Sequence, residues 1–202
     1  IRGGRGDTGA GMINNDVQNL VVANCLFTGG EAGQFGGGMY NLGGSTVEVV
    51  DCRFEANSAG VSGGGMLNQG SDTVVRNTLF EANNAETGAG MLNLEDANVQ
   101  VEDCVFRANV ATGSGGALAN FASDPVVRNT VFEANAAIGN VGGAVLNAGG
   151  NPLYTSCLFL ANSADRLSGG AVANTPVDTE GDGGAKQTVD LNADFVNCVF
   201  FG

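Results

Sequence analysis

Histidine and tryptophan are absent from this chain of 202 residues; lysine occurs once, at Lys186, and proline three times. Each shortage closes off a class of protein. Eight basic residues against 21 acidic ones leave a net charge of −13. Nucleic-acid surfaces need clustered Lys and Arg to neutralise phosphates, so such a partner is not expected. An anionic membrane surface is excluded on the same ground. No apolar run reaches the ~18 residues of a membrane span, so no membrane insertion of this segment is expected. Glycine interrupts every long amphipathic window, which removes long helices. The 34 glycines show no three-residue period, so collagen is out. With 43% hydrophobic residues the chain is not a disordered Gly/Pro-rich segment either. Ile1 starts in mid-pattern with no signal peptide before it, so the chain reads as a segment of something longer.

What the sequence does have is a repeat. Phenylalanines fall at Phe27, Phe54, Phe80, Phe106, Phe132, Phe159 and Phe200, five of the six intervals being 26 or 27 residues. A second marker, Asn14, Asn41, Asn68, Asn93, Asn120, Asn147 and Asn174, keeps the same period. Two places before each Phe stands Cys25, Cys52, Thr78, Cys104, Thr130, Cys157 or Cys198. Three places after it stands Asn57, Asn83, Asn109, Asn135 or Asn162. Within each repeat, short runs of period-two alternation are separated by Gly, Asn, Asp and Ser, the pattern of strands and turns.

A helix-free repeat of this length closes its strands by stacking on the next copy. The expected fold is all-β: a parallel β-helix of about seven coils of 26–27 residues, one domain over 1–202. Its handedness is expected to be right-handed, as parallel crossovers prefer. Like residues would stack at about 4.8 Å, Phe on Phe, with Asn ladders satisfying polar groups in the turns. A propeller would need longer units, about 40 residues each.

The tetrapeptides GGAL (115–118) and GGAV (142–145, 169–172) alternate with FEAN (54–57, 80–83, 132–135), FRAN (106–109) and FLAN (159–162). This series resembles the GGA[ILV]/FxxN repeat of polymorphic outer membrane proteins and related bacterial surface β-helix proteins. The resemblance implies a secreted or surface-displayed right-handed β-helix, often adhesive in role.

Between Asn174 and Phe200 the chain carries 14 residues more than the preceding coil, an excess expected to leave as a loop at about 176–188. There Asp178, Glu180 and Asp182 alternate before Gly183, like the start of a calcium loop. Val189 stands where a bidentate Glu would close such a loop, and a solvated acidic excursion is the plainer reading. No cofactor other than this possible Ca²⁺ is expected. Arg5, Gly6 and Asp7 form a tripeptide of the kind that engages adhesion receptors, in what reads as a turn. The cysteines share one inward slot, and Cys25/Cys52 and Cys157/Cys198 fall in adjacent coils within disulfide range. Their side chains point the same way, however, which strains such a bond, and a buried, reduced column is the plainer expectation.

For the surface, Met12, Met39, Met66, Met91, Leu118, Val145 and Val172 are assigned inward. The following slot, Ile13, Tyr40, Leu67, Leu92, Ala119, Leu146 and Ala173, then faces out as an apolar stripe. Ile13, Tyr40, Leu67, Leu92 and Leu146 are its candidate interface residues. Leu26, Leu79, Val105, Val131, Leu158 and Val199 face out from the Phe strand, and Ile1 and Phe200 leave both ends without a polar cap. Glu55, Glu81, Arg107 and Glu133 make a solvated charged stripe, while Asp51 and Asp103 sit in a turn ladder two coils apart. No acid–base or metal constellation of an enzyme emerges. The expected function is therefore a non-enzymatic extracellular or cell-surface structural or adhesion module. It would self-associate, form part of a fibre or filament, or bind another surface protein, or else missing parts of a longer parent protein would cover its apolar surfaces. The alternative is a polysaccharide-active lyase or hydrolase, or a glycan-binding module.

Overall fold

The computed structural model describes residues 1–165, 169–175, 177–180, 186–189 and 193–202, and side chains outside 176–192. Every coil lays down four short strands, and each strand pairs in parallel with its equivalent one coil on. Four seven-stranded sheets result. One coil shows the order: Glu31–Phe35 in an alanine sheet, Met39–Leu42 in an asparagine sheet, Thr46–Val50 in a valine sheet, and Arg53–Glu55 in a phenylalanine sheet. Seven strands per sheet are separated by about six turns, one fewer than the sequence count. The count of seven came from tallying markers, and six steps separate seven markers. The excess near the end leaves the solenoid as a hairpin, Val177–Glu180 pairing antiparallel with Lys186–Val189.

Corners fall where the backbone enters the left-handed region. Asn24, Asp51, Asn77, Asp103, Asn129, Ser156 and Asn197 hold φ of 48–55° before the Cys/Thr slot. Asn and Asp tolerate that region. The second such corner is less expected: Ala56, Ala82, Ala108, Ala134 and Ala161 hold φ of 48–53°, where the first coil has Gly29. A left-handed conformation costs an L-residue roughly 1–2 kcal/mol, partly offset by the entropy glycine would lose. Ala108→Gly is therefore expected to raise stability slightly, by about 0.5 kcal/mol. Urea denaturation would check this, and a clear loss of stability would contradict the strain argument.

Inside, the Phe rings form a continuous stack with centroids 4.5–5.2 Å apart and planes within 13°. Beside it run Met39, Met66, Met91, Leu118 and Val145, and Val49, Val75, Val101 and Val127, all fully buried. Two buried amide ladders run parallel to the stack. In the first, Asn14, Asn41, Asn68, Asn93, Asn120 and Asn147 each donate Nδ2 to the next Oδ1 at 2.7–2.9 Å. These residues lie within strands rather than turns. In the second, Asn57, Asn83, Asn109 and Asn135 bond to the next Oδ1 through both backbone N and Nδ2. No buried side-chain N or O among the described residues lacks a partner.

The Gly-Gly signature belongs to a thin arm of the cross-section. Here the alanine sheet folds back on the segment entering the asparagine sheet, with only Ala32, Ala59, Ala85, Ala89 and Ala111 between. A Cβ on Gly64 would stand 2.3 Å from Asn84 O, and one on Gly143 2.0 Å from Gly170 O. No side chain fits at Gly37, Gly64, Gly116 or Gly143, whereas Ala10 and Ala89 take the same slot in two other coils.

Candidate functional site

The apolar stripe does point away from the main core, but it is not exposed. Tyr40, Leu67, Leu92, Ala119, Leu146 and Ala173 form a second buried cluster. The cause lies in the glycines before them. A Cβ on Gly36, Gly63 or Gly88 would touch the Cβ of Tyr40, Leu67 or Leu92 at 2.7–3.0 Å, and all three glycines have positive φ. The chain turns sharply there, the alanine and asparagine sheets meet in a concave corner, and the corner covers the stripe. Phe35 leans over Tyr40 with ring centroids 6.3 Å apart, and Val141 packs on the same cluster. Ile13 alone of the five candidate interface residues is exposed, at 52%. It lies on the first rung, where Thr8 takes the place of Phe35. The second row, Leu26, Leu79, Val105, Val131 and Leu158, is half-buried.

Arg5, Gly6 and Asp7 lie in a strand, Arg5–Thr8, not in a turn, and all are exposed. Arg5 is ion-paired with Glu31 of the next coil, Nε to Oε2 3.0 Å. Alternation puts Arg5 and Asp7 on one side of that strand, beside a shallow depression lined also by Gly6, Glu31, Ala32 and Gly33. In the hairpin, Asp178 and Glu180 fall on the first strand. Their side chains, and Asp182 entirely, lie outside the described residues. Among the described residues no three metal-ligating side chains converge.

The charged stripe is an interlocked ladder rather than separate solvated charges. Arg53 bridges Glu55 and Glu81, and Arg107 bridges Glu81 and Glu133, at 2.8–3.7 Å. Arg76 likewise holds Glu48 and Glu102 on the valine sheet. Each exposed pair contributes only about 0–1 kcal/mol. Asp51 and Asp103 stand exposed at the left-handed corners with Asn77 between them.

The cysteines occupy their common slot as free thiols, with Cys52, Cys104 and Cys157 buried and Cys25 and Cys198 half-buried. Burial pushes the Cys104 and Cys157 thiols up to about 12. Unfolded thiols ionise near pH 8.5. The folded state therefore keeps these groups neutral where the unfolded state ionises them. Their contribution is complete below about pH 8.5 and is lost as pH rises toward the folded values. Urea midpoints are thus expected to fall between about pH 8 and about pH 11, less so in Cys104→Ser. Equal falls in both proteins would contradict the burial effect at Cys104.

Of two further surface features, the uncapped end at Phe200 is expected from the sequence and the groove is not. On the last rung Val196, Val199, Phe200 and Phe201 are 46–62% exposed, beside half-buried Leu158 and Leu160. The signal was available in FVNCVFF (195–201), which is apolar at both strand parities. The other is a shallow groove on the outer valine sheet, lined by Asn19, Val21, Thr46, Glu48, Asp72 and Val74 among others.

Comparison with curated proteins and with solved structures gives no match. The family model described as the right handed beta helix region matches residues 3–122, more than half of the chain. The four parallel sheets of the solenoid, with no helix among the described residues, agree with that match, and the chain belongs to the right-handed β-helix family.

Proposed function

We propose that this chain is a non-enzymatic structural module of a secreted or cell-surface protein, and that its last rung is a packing surface for a further β-rung, from the same polypeptide or from another copy of it. The observation that carries this is the contiguous apolar surface of Val196, Val199, Phe200 and Phe201. It borders the strand Val199–Phe201, which pairs with Leu158–Leu160. An apolar surface of this kind favours packing against a further rung. The alternating GGA[ILV] and FxxN series supports the narrower reading as a surface protein of the polymorphic outer membrane protein type. The double variant Val199→Asp/Phe201→Asp is expected to elute later than the unaltered chain in size-exclusion chromatography. Unchanged elution of a folded double variant would sink the proposal.

The glycan reading has one observation in its favour, the groove that sets Val21 and Val74 beside Glu48 and Asp72. Glu48 is already engaged by Arg76, however. The chain is expected to leave uronans and neutral glycans uncut. Turnover lost in Asp72→Asn or Glu48→Gln would replace the structural reading by an enzymatic one. Calcium at Asp178, Glu180 and Asp182 remains part of the proposal. Calorimetry is expected to show a site that Asp182→Ala abolishes, and no heat at millimolar calcium would remove it.

A further inference from the structure

The thiol column packs within the main core, and its sulfur chemistry plays no part in the proposed association. Cys157 and Cys198 occupy equivalent places on successive rungs. Val199 N donates to Cys157 O at 2.9 Å, and Phe159 pairs with Phe200 two residues on. Each thiol donates to the carbonyl two residues before it, Thr155 O and Val196 O, at 3.5 Å in both cases. Two side chains in one rotamer on in-register strands are related by a single rung step. The stacked rings of Phe159 and Phe200 measure that step locally as 4.5 Å. Cys25 and Cys52 repeat the arrangement, each donating to the carbonyl two residues before it at 3.2 Å. Their local step, between Phe27 and Phe54, is 4.7 Å. In each pair one thiol is buried and the other half-buried, which gives access from solvent. Cys104 has Thr78 and Thr130 in the equivalent places and is a single thiol.

This spacing does not suit a disulfide. That bond needs sulfurs about 2.05 Å apart and Cβ atoms about 3.5–4.5 Å apart, with the two side chains turned toward each other. It does suit two thiolates on opposite sides of one ion. Metal–thiolate bonds of about 2.3 Å placed end to end span about 4.6 Å. Linear two-coordination is what soft monovalent cations accept, and thiolates select them. Zinc would need four ligands, and no third ligating group converges among the described residues.

We propose that Cys157 with Cys198, and Cys25 with Cys52, are two-coordinate sites for a soft monovalent cation of the Cu(I)/Ag(I) class. Binding replaces two S–H bonds by two S–metal bonds and releases two protons, with no change of oxidation state. The bis-thiolate formed carries one negative charge. A bound ion ties the last rung to its neighbour and stabilises the folded chain by mass action.

The test uses the full chain, kept reduced, titrated with Ag(I) in chloride-free buffer. Tightly held metal is counted after desalting and followed by thiolate-to-metal ultraviolet absorption. Two equivalents are expected for the unaltered chain and for Cys104→Ser. One is expected for Cys198→Ser and for Cys25→Ser, with circular dichroism confirming that each variant is folded. A Tm increase on adding Ag(I) should be smaller in Cys198→Ser. Uptake that scales with the number of thiols, or that falls in Cys104→Ser, would overturn the paired sites. A Cys157–Cys198 disulfide in the peptide map of air-oxidised folded protein would also overturn them, because it requires the spacing to collapse.

Discussion

Asn109→Ala is expected to lower the unfolding free energy by about 3–5 kcal/mol, the loss falling on atoms other than its own. Asn109 Oδ1 accepts from Asn83 N and Asn83 Nδ2, both at 3.0 Å. Its Nδ2 donates to Phe80 O at 2.9 Å and to Asn135 Oδ1 at 3.0 Å. Asn109 is fully buried, so water does not replace these partners in the folded state. Leaving a buried polar group unpaired costs roughly 1–3 kcal/mol for each group. Asn162→Ala, on a half-buried rung, should cost less. Urea denaturation followed by circular dichroism gives both values. A loss below about 1 kcal/mol at Asn109 would mean that the ladder adds little beyond packing.

Gly116→Ala should do at least as much damage, for a steric reason. An added Cβ would stand 2.2 Å from Gly143 O and 2.5 Å from Ala136 O, both backbone atoms with neighbours on either side. Relief requires the thin arm to part from the asparagine sheet across several rungs. A loss of about 4 kcal/mol or more is expected, seen as failure to accumulate folded protein or as a collapsed urea midpoint. Gly33→Ala is the control. Its Cβ would come nearest to Asp7 Oδ1 at 3.3 Å, with Asp7 Cα at 3.6 Å in ordinary contact, and little change is expected. Equal behaviour of the two variants would contradict the account of the Gly-Gly signature.

Much of the fold was legible because a solenoid writes its register into its period. Phe54, Phe80 and Phe106 recur at the coil length and stack as their spacing requires. The inward Met column follows from strand alternation, whereas the first Asn ladder is expected in turns and lies within strands instead. Alternation separates the two faces of a strand, but it does not say whether the outer face is later folded over. For that reason Tyr40, Leu67, Leu92 and Leu146 were assigned to an exposed stripe and are buried instead. The information was present in Gly36, Gly63 and Gly88, whose left-handed turns draw the next strand across that row. It becomes readable once the glycines are treated as corners rather than as flexible links. Arg5-Gly6-Asp7 was misplaced for the opposite reason: its turn-forming residues are overruled by the ladder that pairs Arg5 with Glu31 and Gly6 with Ala32. The left-handed alanines had no sequence signal, because Ala is not a residue that marks such corners.

The paired cysteines show the same division. Their common slot and inward direction came from the period, whereas the matching rotamers and the rung step of each pair required coordinates. The exposed last rung could be seen in the composition of residues 195–201, but its contiguity depends on where the valine and phenylalanine sheets place Val196 and Phe201.

Whether the last rung takes a further rung on its apolar face is decided by sedimentation velocity of residues 1–202 over a hundredfold range of concentration. The weight-average sedimentation coefficient is expected to rise with concentration, and the rise to disappear in Val199→Asp/Phe201→Asp. A coefficient that stays at the value of a 20.2 kDa monomer at every concentration would contradict it.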